Sequence, residues 1–132
     1  MNINELVAIA YSSAKEKGFY PEGTNIGELL MGIASELGEA LEAHRGGKKA
    51  DLKSYDDSLF SLFLPFFKTE SKKTLKSFFF KRFIKGSFED ELADVALRLC
   101  SLCGYLDIDL ERYIMIKLEY NKTREYKHGK KY

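Results

Sequence analysis

The 132-residue sequence predicts an all-α, four-helix-bundle-like fold, and three observations carry that expectation. Apolar residues recur in steps of three and four through most of the chain, the period of an amphipathic helix. No stretch of any length alternates in the manner of a strand. Only Pro21 and Pro65 interrupt the chain, and proline is a frequent helix breaker. The composition suits a single domain over residues 1–132. At 45% hydrophobic it can build a core, and at 31% charged and net +1 it is neither a polyanion coat nor a disordered chain.

The first helix is expected over Asn4 to Lys17, where Leu6, Ile9, Ala10 and Ala14 share a period. Asn4 is its N-cap candidate and Gly18 its stop. "YPEGTN" reads as a loop, with Thr24 or Asn25 capping the next helix. That helix runs from about Ile26 to His44 and ends at Gly46-Gly47. Its apolar stripe is Ile26, Leu29, Leu30, Ile33, Leu37 and Leu41, with Glu36 and Glu39 at the stripe's margin.

Residues 48–86 differ in kind. A polar run, "KKADLKSYDD", leads into "SLFSLFLPFFKTESKKTLKSFFFKRFIKG", which holds eight of the ten phenylalanines. Two short helices broken near Pro65 are expected. A basic, Phe-rich stretch suits a membrane-surface or nucleic-acid element. The plainer reading, and the one preferred, is an insertion that folds onto the core or covers an oligomer contact, because so many phenylalanines are rarely left in water.

A third helix is expected from Ser87, with Ser87 and Asp90 forming a capping-box-like start, to about Tyr105. Its stripe is Leu92, Val95, Ala96, Leu99, Cys103 and Leu106. Asp107 or Asp109 caps a fourth helix, "LERYIMIKLEYNKT", and residues 123–132 form a basic tail. Cys100 and Cys103 sit among apolar neighbours with no second cysteine pair, so they read as reduced core thiols rather than half a zinc site. No signal peptide and no membrane-length apolar run is visible, which sets a cytoplasmic expectation with no membrane.

Two acidic pairs carry the chemistry. Glu36-x-x-Glu39 and Glu91-x-x-Asp94 each place two carboxylates on one helical face. One such pair is ordinarily a solvated face. Two helices packed together can gather all four carboxylates, and an all-oxygen site suits Mg²⁺, or Mn²⁺. Di-iron chemistry is disfavoured, because only one Glu-x-x-His occurs, Glu125 to His128, in the tail. Basic residues of the last segment, with a carboxylate cluster, suggest metal-dependent phosphate chemistry. No "GxxxxGK" phosphate loop occurs.

With these motifs the chain resembles the MazG-like all-α nucleoside triphosphate pyrophosphohydrolases. The resemblance rests on the two acidic pairs in order, then "ELADVALRL", "LDIDLE" and "KLEYNKTR". It covers the second helix and everything from about Ser87 onward. Ser35 stands where the family often opens its first motif with an acidic doublet, and the gap between the motifs is longer than usual. The resemblance implies hydrolysis of an NTP or dNTP to the monophosphate and pyrophosphate. It implies Glu36, Glu39, Glu91 and Asp94 as metal ligands, with Glu39 as the general base. Lys117, Asn121 and Arg124, with Lys122 and Lys130 as lesser candidates, would contact the triphosphate. A homodimer or homotetramer is implied, and nucleic acid is not an expected partner. Tyr11, Phe19 and Tyr20 are loose candidates for base recognition. Two alternatives stay open: a non-catalytic helical module using the basic Phe-rich arm for nucleic acid or protein, and a phosphoribosyl-ATP pyrophosphohydrolase.

Overall fold

The computed structural model describes residues 1–63 and 68–129, His128 by its backbone alone. Among these there is no strand. The helices are α1 (Ile3–Glu16), α2 (Ile26–Arg45), α3 (Leu52–Ser61), α4 (Thr69–Phe83), α5 (Phe88–Tyr105) and α6 (Leu110–Lys122), followed by a 3₁₀ turn at Tyr126–Gly129. The expected break near Pro65 and the candidate Lys130 both fall outside the described residues. Close packing divides the chain into two units, Met1–Leu29 with Leu97–Tyr132, and Leu30–Ala96.

The first unit is built on α1 and α6. Val7, Ala10, Cys100 and Cys103 form its apolar centre, with Ile3, Leu6 and Leu110 packed against them. Both cysteines are free and buried, and burial pushes both thiols up from their ordinary pKa. Tyr20 and Tyr105 stack at 4.8 Å, Tyr11 meets Tyr20 edge-on at 5.2 Å, and the Tyr20 hydroxyl hydrogen-bonds Ser101 Oγ.

The start of α1 differs from the sequence reading. Asn2, not Asn4, is the N-cap: its side chain accepts from the Glu5 N–H, and Glu5 returns the bond to the Asn2 N–H. That reciprocal arrangement satisfies two of the helix's orphan donors. Asn4 is thereby free to join α1 to α6. Its Nδ2 donates to Asp109 at 2.8 Å, and its Oδ1 accepts from the Glu111 N–H. Asp109 is the N-cap of α6, accepting from the Arg112 N–H, while Asp107 takes a left-handed backbone conformation. Asn25 caps α2 through the Glu28 N–H, and Thr24 instead closes the preceding turn onto the Pro21 carbonyl.

The second unit holds most of α2, the α3–α4 hairpin and the first half of α5. At the end of α2, the Lys48 N–H bonds the Ala43 carbonyl and Gly47 adopts φ +64°, the left-handed C-terminal stop that glycine favours. The Lys48 carbonyl accepts from the Phe88 N–H, and the His44 ring lies 5.3 Å from that of Phe88. The end of α2 is thus fixed beside the start of α5. There Ser87 Oγ accepts from the Asp90 N–H as expected, but the Asp90 carboxylate accepts from the Gly86 N–H, one residue before the cap, while the Ser87 N–H bonds the Ile84 carbonyl, so only half of the expected box forms.

The inward face of α2 is not the leucine stripe. Glu36, Ala40 and Ala43 are its buried residues, while Leu30, Leu37 and Leu41 stay about half exposed. The small side chains of Ala40 and Ala43 let neighbouring backbone come close, and the bulkier leucines then point elsewhere. On α5, likewise, Asp90 and Glu91 are buried while Leu92 and Leu99 are partly exposed. The α3–α4 pair does not behave as core, since neither helix has a buried residue.

Candidate metal centre

The acidic cluster lies wholly within the second unit. It is placed by the register of α2 and α5: Glu36 sits one turn before Ala40 on the buried line of α2, and Glu91 and Asp94 occupy the first two turns of α5, just after its cap. Carboxylates near a helix N-terminus are favoured by the exposed N–H groups and the dipole there. Glu36 and Glu91 are each only 6% exposed, and Asp94 is half-buried. One carboxylate oxygen from each of Glu36, Glu91 and Asp94 lies within 4.8 Å of the others.

Electrostatics mark the same point. Burial raises the Glu91 carboxyl above its ordinary pKa, and the charges of Glu39, Asp90, Glu36 and Asp94 push it further in that direction. All four carboxylates of the two sequence motifs therefore act on one spot. Glu39 is the outlier in position: it is exposed and lies outside the tight group of three. Asp90, not foreseen as a neighbour, adds its charge while its own oxygen is engaged by the Gly86 N–H.

The donor set fits a hard divalent cation. It offers carboxylate oxygens alone, with no thiol or imidazole in the group. Gathering like charges in a half-buried place costs stability, and a cation among them offsets part of that cost.

The cations expected on the last helix belong to the other unit. Lys117 and Arg124 both lie over the ring of Tyr120, at 5.2 and 5.7 Å. Tyr120 is thus a ring contact shared by both cations that sequence reasoning missed; its spacing from Lys117 and Arg124, three and four residues, is the signal that could have found it. Asn121 Oδ1 is buried with no hydrogen-bond partner among the described residues. An orphan amide oxygen is an acceptor and takes a hydroxyl or N–H; with the amide turned over, the Nδ2 donors face the same space. Lys122 is occupied differently, in an exposed ion pair with Glu119 at 2.7 Å. Of the loose base-recognition candidates, Tyr11 and Tyr20 pack on each other and Phe19 is exposed.

No family model, no curated protein and no solved structure matches this chain.

Proposed function

We propose that this chain is a divalent-metal-dependent nucleoside triphosphate pyrophosphohydrolase. The observation that carries the reading is the approach of Glu36, Glu91 and Asp94 oxygens to within 4.8 Å in a half-buried place. The motif resemblance supplies the reaction class. Glu36, Glu91 and Asp94 would hold Mg²⁺ or Mn²⁺, which supplies phosphate-charge neutralisation and water activation when bound. Glu39, exposed and close enough for its charge to act on Glu91, is the residue to which the resemblance gives the proton of the attacking water. Lys117, Asn121 and Arg124 are assigned to the triphosphate by the resemblance, with Tyr120 the ring that both cations contact. The half-exposed leucines of α2 support the assembly of more than one copy, a homodimer or homotetramer.

The test is pyrophosphate release from a panel of canonical and modified NTPs and dNTPs, with Mg²⁺, Mn²⁺ or EDTA. Wild type should release pyrophosphate only with metal. Asp94→Ala and Glu39→Ala should each lose about 100-fold or more in kcat while keeping the wild-type circular dichroism. Release that persists in EDTA, or in folded Asp94→Ala, sinks the reading. Preference for phosphoribosyl-ATP over every nucleoside triphosphate would redirect it to that substrate.

A further inference from the structure

A further acid is buried beside the acidic trio, within the same unit. Asp90 is 7% exposed, directly precedes Glu91, and lies one helical turn before Asp94 on the face they share. Its carboxylate does not join the converging oxygens of Glu36, Glu91 and Asp94. It is held instead by the turn that enters α5. Ile84 and Lys85 both donate their N–H to the Phe80 carbonyl, and the Ser87 N–H donates to the Ile84 carbonyl. Gly86, at φ +74°, presents its own N–H to Asp90 Oδ2 at 2.8 Å. Lys85 Nζ stands 3.9 Å from the same oxygen, on a side chain that is 59% exposed.

Capping alone does not account for Asp90. The Ser87 N–H, the group that a capping box would satisfy, is bonded to Ile84. The pair with Lys85 is a weak tie. At 3.9 Å it is longer than a hydrogen bond, and an ammonium more than half in water is well screened. Asp90 therefore keeps a negative field that Lys85 cancels only in part, one residue from Glu91. The raised pKa of Glu91, to which Asp90 adds more than Glu36 or Asp94 does, is the same effect seen from its neighbour.

We propose that Asp90 is a positioning residue of the metal centre that acts by charge from outside the ligand set. Fixed by the Gly86 N–H, it strengthens the hold of Glu36, Glu91 and Asp94 on a divalent cation without touching it, and Lys85 opposes it. The inference rests on the metal reading of the trio. Attraction between a carboxylate and a doubly charged ion over several ångströms is large enough to appear in affinity. The opposing effect of the exposed lysine is smaller, and it shrinks with salt. The two residues thus act with opposite signs. If they were only a tie between the end of α4 and the start of α5, removing either one would loosen the site in the same direction.

The experiment is Mn²⁺ binding to the full chain without nucleotide, by titration calorimetry at low ionic strength, for wild type, Asp90→Asn and Lys85→Met. Asp90→Asn keeps an acceptor for the Gly86 N–H and removes the charge. It should weaken Mn²⁺ about tenfold with the circular dichroism unchanged. Lys85→Met should tighten Mn²⁺ by about two- to threefold, and added salt should narrow both differences. Wild type that binds no Mn²⁺ overturns the metal centre and this inference with it. Wild type that binds, with folded Asp90→Asn binding equally well, overturns the role of Asp90 alone. Lys85→Met that weakens binding also overturns it, and leaves the pair a structural tie. Should Asp90→Asn not fold, the sign of the change in Lys85→Met decides.

Discussion

Glu91 is the residue whose titration the rest of the molecule should feel. Burial and the charges of Glu39, Asp90, Glu36 and Asp94 raise its carboxyl, so it holds a proton more readily folded than unfolded. The stability this gives is complete below the unfolded pKa of about 4.3 and is lost as pH rises through the folded value. In EDTA, the urea midpoint should fall as pH rises across that window. Glu91→Gln should flatten the fall, and saturating Mg²⁺ should restore the midpoint at neutral pH in wild type alone. Gly104 offers a second test. A Cβ there would lie 2.5 Å from Tyr11 Cβ and 3.2 Å from the Val7 carbonyl oxygen, so Gly104→Ala should cost about 1–3 kcal/mol in urea unfolding. At this scale the sequence was partly legible. The steps of three that link Glu36 to Glu39 and Glu91 to Asp94 placed the acids on shared faces. The same steps could not tell which of Glu36 and Glu39 is buried, because both sit at the margin of the apolar stripe and a turn of the helix by a few tens of degrees exchanges them.

The helices themselves were read with small errors of a physical kind. The sequence reading placed the cap of α1 at Asn4, two residues late: Asn2 is the cap because Glu5 completes its capping box, and Asn4 has partners on α6. At α5 no such rival exists, and Ser87 caps it through the Asp90 N–H as the spacing predicted. Ser87 is buried. Ser87→Ala should therefore cost about 1 kcal/mol in the urea midpoint, by loss of the acceptor for the Asp90 N–H. The larger misreading concerns α2. Periodicity ranks residues by hydropathy, and so it turned the leucines inward; the structure instead buries the two alanines and Glu36. Close approach and a polar site outrank side-chain size there, a choice that composition does not record.

For the molecule as a whole, the all-α class was visible from the absence of alternation and the scarcity of proline. The division into two units was not, because it depends on which distant segments pack, and helical period is a local quantity. Exposed Leu30, Leu37 and Leu41 give the assembly prediction its footing. Sedimentation equilibrium should return a dimer or tetramer, and Leu37→Asp/Leu41→Asp should shift it towards the monomer at the same concentration. A sharp monomer in the unaltered protein would count against the covered leucine face.

The bond between the Lys48 carbonyl and the Phe88 N–H has a further consequence for how this chain can be edited. It brings the two roots of the hairpin within one peptide's reach of each other. Everything between Lys49 and Lys85 is then a cassette, entered and left at nearly the same point. Splicing Lys48 to Gly86 through a short glycine bridge should spare the acidic trio and its cap while deleting the phenylalanine-rich arm, so that metal-dependent turnover can be read in a molecule without it.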